Sequence, residues 1–114
     1  VKVNGAEQPC PRAGHSAVMY EGKMHIFGGK DEDNEKLLDF WAFDFTSGSW
    51  AKLEFGVENT TIVSRSGHSA CIYDDHMIVF AGIHEVTKEL DDMAAYSFKN
   101  KKWTHLFKEA LASK

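Results

Sequence analysis

Six histidines, two cysteines and seventeen acidic residues are the groups in this 114-residue chain that could hold a metal or move a proton. Metal chemistry needs its ligands at close, defined spacings. His25, His76, His84 and His105 lie on different segments with no such spacing, and Cys10 and Cys71 match neither a metal nor a redox pattern. His15 and His68 each close a short motif, Arg12-Ala13-Gly14-His15 and Arg65-Ser66-Gly67-His68, and so stand one to a motif, not as a ligand cluster. No set of nucleophile, base and orienting group is visible. No catalytic residue, metal ligand or cofactor is therefore assigned, and the chain reads as a non-enzyme. The remaining chemistry is electrostatic. Residues Lys30 to Asp39 hold five acids and two lysines, and residues Ile83 to Asp92 hold four acids and one lysine, so each segment is net −3. Such segments attract a basic peptide or domain, while the guanidinium groups of Arg12 and Arg65 can each grip a carboxylate in a two-pronged pair. The candidate partner-binding residues are Arg12, Asp31, Glu32, Asp33, Arg65, His84 and Glu85. For the two arginines a role in the fold stands open beside the binding one.

Composition narrows the partners. A net charge of −4 and a pI near 5.8 provide no basic footprint for nucleic-acid phosphates or an anionic membrane surface. The longest nearly uncharged stretch, Phe40 to Ala51, falls well short of the ~20 apolar residues of a membrane helix. With 43% hydrophobic and 26% charged residues the chain has the usage of a soluble globular protein. Two unpaired-looking cysteines suit a reducing, cytoplasmic setting. The glycosylation acceptor pattern Asn59-Thr60-Thr61 is the one sign against it, and a three-residue pattern carries little weight.

The elements that position these residues follow from an internal repeat. Arg12, Gly14, His15, Ser16 and Ala17 recur 53 positions later as Arg65, Gly67, His68, Ser69 and Ala70, and the offset continues through Tyr20, Met24, Phe27, Gly29, Asp39, Phe45, Trp50 and Leu53. Across residues 12–53 and 65–106 there are 16 identities in 42 positions. Each unit alternates short apolar runs with turn residues, the pattern of strands. The first unit predicts strand A at His15–Tyr20, B at Lys23–Gly29, C at Phe40–Phe45 and D at Trp50–Leu53. The second predicts A at His68–Tyr73, B at Met77–Gly82, C at Met93–Phe98 and D at Trp103–Leu106. Lys108 to Ser113 alone looks helical. Each unit is then a four-stranded antiparallel meander with apolar residues on both faces, and such a sheet needs a neighbour on each side.

Taken in order, Pro11-Arg12-Ala13-Gly14-His15-Ser16, the pair Gly28-Gly29, Asp39 to Asp44 and Trp50 resemble the kelch repeat, and the second unit matches again through Arg65 to Ser69, Gly82, Asp92, Tyr96 and Trp103. Ala81 departs from the glycine pair. The resemblance implies an all-β fold, two blades of a β-propeller at 1–53 and 54–106 followed by a tail at 107–114. Two blades do not close a ring. Other blades of a longer chain, or self-association of copies, are expected to complete one. Val1 is no initiator Met and aligns with Glu54, just past a strand D, which favours the longer chain. The Phe and Trp residues at repeat positions, including Phe45, Phe80 and Trp50, are expected to fill the space between blades. Function is expected in the B–C and D–A loops at one end, as a protein-interaction module with an adaptor or scaffold role for a protein or peptide partner. The alternative is a fragment of a kelch-like propeller enzyme. For the iron-dependent members of that group the resemblance implies a Glu-x3-Asp-x3-His pattern, and here Glu35 and Asp39 are followed by Phe43.

Overall fold

The computed structural model describes residues 7–54, 62–85 and 88–107. These form eight strands: β1 (Ser16–Tyr20), β2 (Lys23–Phe27), β3 (Phe40–Asp44), β4 (Ser49–Lys52), β5 (Ser69–Tyr73), β6 (His76–Glu85), β7 (Lys88–Ser97) and β8 (Lys102–Phe107). They make two antiparallel four-stranded sheets, ordered β1-β2-β3-β4 and β5-β6-β7-β8. Turn chemistry explains the meander. Glu21 and Gly22 both take positive φ between the paired Tyr20 and Lys23, the two-residue hairpin that matches strand twist. Asp44 turns the chain into β4 by accepting the amides of Thr46 and Ser47 on its side chain and that of Gly48 on its carbonyl. The predicted tail helix and Asn59-Thr60-Thr61 lie outside the described residues.

One predicted loop is not a loop. In the second blade β6 runs on to Glu85 and β7 starts at Lys88, with Ile83 opposite Glu89 and Glu85 opposite Lys88, so the two form a long ribbon. A bulge lies between Phe80 and Gly82, and Ala81 there adopts φ 65°, close to the 70° of its counterpart Gly28. The alanine keeps the glycine conformation at a local cost of order 1 kcal/mol.

The blades pack face to face, and strand alternation decides which residues meet. His25 and Phe27 of β2 and Phe40 of β3 project toward the second blade, where Met77, Val79, Ala94, Tyr96 and Trp103 receive them. Phe27 lies 5.1 Å from the Trp103 ring, Phe40 stands edge-on to Tyr96 at 4.8 Å, and Tyr20 stacks on Phe98 at 4.0 Å. Offset and edge-to-face rings add attraction beyond the area they bury. Polar contacts stitch the same seam. Gly29 donates its amide to the Arg65 carbonyl at 2.8 Å, Gly67 donates to the Gly14 carbonyl at 2.8 Å, and His68 Nε2 meets Ser16 Oγ at 2.8 Å. Gly28 must be glycine here, since a Cβ would come within 2.8 Å of the Arg65 carbonyl oxygen.

Not every repeated aromatic fills this space. Phe27, Phe98 and Trp103 do, but Phe45, Phe80 and Trp50 project from the two outward faces, Phe80 being 40% exposed where Phe27 is 0%. Among the described residues, one side of each sheet has no neighbouring sheet to cover it. The repeat pair is thus a controlled comparison: Phe27→Ala should lower unfolding free energy by about 3–5 kcal/mol, and Phe80→Ala by less than half of that, in urea denaturation at low protein concentration. Equal losses would contradict the seam.

Candidate functional site

The two motif arginines are bound within their own blades by matching sets of contacts. Arg12 grips Asp39 with both prongs, at 2.6 and 2.9 Å, and also donates to the carbonyls of Cys10 and Gly28. Arg65 grips Asp92 at 2.8 and 3.0 Å and donates to the carbonyls of Val63 and Ala81. Every partner of Arg65 lies 53 positions after the partner of Arg12. The side chains are 3% and 0% exposed. Both guanidinium groups are thereby engaged inside the chain.

Each clamp has a second donor, and the two blades supply it differently. Trp41 Nε1 donates to Asp39 Oδ2 at 2.8 Å, whereas His105 Nε2 meets Asp92 Oδ2 at 3.0 Å. Position 94, the counterpart of Trp41, is alanine, and position 52, the counterpart of His105, is lysine. Burial alone would raise both carboxyls, but the hydrogen bonds and charge of the arginines outweigh it and hold Asp39 and Asp92 below their ordinary range. The spacing of 27 residues from arginine to aspartate, present in both units, is the sequence signal for the clamp.

The clamp sits at the end where the B–C and D–A connections emerge and ties the start of strand A to the end of the B–C segment. On the first blade that segment is organised by Asp31, whose side chain accepts the amides of Asp33 and Glu35 at 2.9 and 3.0 Å while its carbonyl accepts Asn34. Glu32 and Asp33 are exposed, beside a shallow hollow of about 220 Å³ lined by Pro11, Arg12, Ala13, Lys30, Asp31 and Glu32. With Asp39 neutralised by Arg12, four acids face two lysines on this segment; with Asp92 neutralised by Arg65, three face one on the other. On the second blade His84 Nδ1 lies 2.8 Å from the Ser64 carbonyl, nearer than its hydroxyl at 3.2 Å, which makes it a loop fastener. Glu85 is exposed next to it. The candidate acids thus lie at one end on two blades, with Asp31 holding a turn and Glu32, Asp33 and Glu85 open to solvent.

Two meanders, each closed by the same arginine–aspartate clamp and packed through an aromatic seam, define consecutive blades of a β-propeller of the kelch kind. A family model described as the KLHDC2/KLHL20/DRC7 Kelch-repeats domain matches residues 1–110, and the chain belongs to the kelch-repeat family. Among its relatives are Rho GTPase-activating protein gacHH of Dictyostelium discoideum (34% identical over 84% of this chain and 6% of that protein), the Leucine-zipper-like transcriptional regulator 1 homolog of Drosophila melanogaster (36%, over 75% and 9%) and Kelch domain-containing protein 3 of Bos taurus (30%, over 68% and 20%). The chain spans a fifth or less of these curated relatives.

Two outcomes check the clamp and its surroundings. Arg65→Ala should cost about 3–5 kcal/mol, because it strands a buried carboxylate, and Arg65→Lys should recover less than half of it, since an ammonium cannot make the fork; full recovery in urea titrations would show that charge alone suffices. Burial, and then the positive charge of Arg65, push His68 down to about 4 from an ordinary 6.5. A base neutral in the folded protein and protonated when unfolded favours unfolding as pH falls. Stability should drop between about pH 6.5 and 4, before the aspartates are lost below their ordinary 3.8, and His68→Gln should make that first limb shallower in pH-dependent melts, the remainder coming from His15 and His25, which burial also lowers.

Proposed function

We propose that this chain is a protein-interaction module that engages a basic peptide or domain through the acid-rimmed B–C and D–A end of its blades, in an adaptor or scaffold role. The observation that carries this reading is the contrast at that end between engaged and open charges. The arginine and aspartate side chains that could do chemistry there are consumed by the clamp, while Glu32, Asp33 and Glu85 remain open. A rigid base beneath exposed carboxylates favours recognition, because little ordering of the loop remains to be done on binding. The opposite end sets Lys99, Lys101 and Lys102 against Glu21, Asp74 and Asp75 and is near neutral, so the acid excess of the B–C end would steer a basic partner there. The free and exposed Cys10 and Cys71 support a reducing, cytoplasmic setting.

Membership of the kelch family supports the general reading, and the regulators among its relatives fit a domain that brings proteins together. The test uses a partner captured by the chain, identified and purified. Glu32→Lys with Asp33→Lys should weaken its Kd at least tenfold and reduce the salt dependence, whereas reversal of Lys99, Lys101 and Lys102 should not weaken binding. Asp31 is left intact because its side chain builds the turn. Binding indifferent to the acid reversal would remove the proposal.

A further inference from the structure

At the loop end the two blades build the same small ladder from different residues. In the first blade Lys30 is bridged to Ala13 on one side and to Lys36 on the other; in the second, Ile83 is bridged to Ser66 and paired with Glu89. These positions correspond one to one across the offset of 53. Where the first blade sets two lysines opposite each other, the second sets an isoleucine opposite a glutamate. Residues directly opposite in an antiparallel pair share a face, so Ile83 and Glu89 stand side by side, with Glu85 two residues further along β6. All three are exposed, Ile83 to 40%. A neighbouring blade leaves these positions open: Lys30 and Glu32, the counterparts of Ile83 and Glu85, are exposed on the first blade although the second is packed against it.

The isoleucine is also held in place. Ile83 and Ser66 exchange backbone hydrogen bonds at 2.8 and 3.0 Å, and the next residue, His84, is fastened to the Ser64 carbonyl at 2.8 Å. An apolar side chain fixed in the open needs little further ordering when a partner covers it. We infer that this ribbon face receives a partner segment in which an apolar side chain stands between basic ones, the apolar group covering Ile83 and the basic groups meeting Glu85 and Glu89. This rests on the reading of the acidic end as the binding face and narrows it to one site and one pattern. Charge complementarity selects the occupant, since the stretch from Ile83 to Asp92 is net −3 and the Glu85 side chain is 64% exposed. The equivalent place on the first blade rejects the same segment, because Lys30 and Lys36 put like charges where Ile83 and Glu89 stand.

Fluorescence anisotropy with two labelled synthetic peptides tests this, one with leucine between lysines and the other with serine in the leucine's place. The chain should bind the leucine peptide about fivefold more tightly, the effect of partly covering one apolar side chain. Ile83→Ser should abolish that preference and leave the salt dependence of binding unchanged. Ile83→Thr, which keeps a branched side chain on the strand, replaces it if the serine variant loses native near-ultraviolet dichroism. Glu85→Lys with Glu89→Lys should weaken both peptides about tenfold and reduce the salt dependence. Leu106→Ser, at an exposed leucine elsewhere, should leave the preference intact. A preference that survives Ile83→Ser, or one that is lost in Leu106→Ser, would overturn the inference. Equal affinity for the two peptides would overturn it too, while leaving the broader reading of a basic partner standing if charge reversal still weakens both. Failure to bind either peptide would overturn both.

Discussion

Each sheet of this protein is apolar on both sides, and a four-stranded sheet has no means of covering two faces with its own side chains. Everything else depends on how that constraint is met at the seam, where Phe27, Phe40 and His25 enter the surface made by Tyr96, Phe98 and Trp103. The backbone bonds from Gly29 to Arg65 and from Gly67 to Gly14 fix the register, because they require the two blades to meet at one place along the strands. Gly28 is what lets the two blades approach that closely.

The arginine clamp divides the blade into two chemical regions. Toward the seam the residues are aromatic and aliphatic; at the loop end a buried ion pair closes each meander and holds the base of the acidic segment. A buried pair contributes little net stability against an apolar replacement, but breaking one member is costly. Its value here is positional. Arg12 and Arg65 each bind their aspartate and two carbonyl groups at once, which joins strand A to the ends of strands B and C. The same residues that a sequence presents as candidate ligand-binding cations are, in the folded chain, engaged by Asp39 and Asp92.

Much of this was legible because the repeat doubles every signal. Arg12 and Asp39 reappear as Arg65 and Asp92, and the hydrophobic alternation marks all eight strands, six of them near their observed bounds. Other features depend on tertiary context that a single strand does not encode. The ribbon ends, β6 as far as Glu85 and β7 from Lys88, read as a charged loop, since their charged residues leave no apolar alternation. Phe80 and Phe27 are identical in sequence terms, and only the presence of a neighbouring blade separates a buried ring from an exposed one. Trp41 and His105 serve the same carboxylate position from different strands, so the repeat conceals their equivalence. Ala81 shows that the conformation belongs to the position, not to the glycine.

The central claim is that the seam makes the two blades one cooperative unit. Native-state amide hydrogen exchange measures this most directly, at a concentration low enough for rates to be independent of it. The account predicts that the slowest amides of β2 and β3 and those of β6 and β7 open with the same free energy, and that Phe27→Ala lowers both together. Distinct opening free energies for the two sheets, with the substitution affecting the first alone, would contradict it.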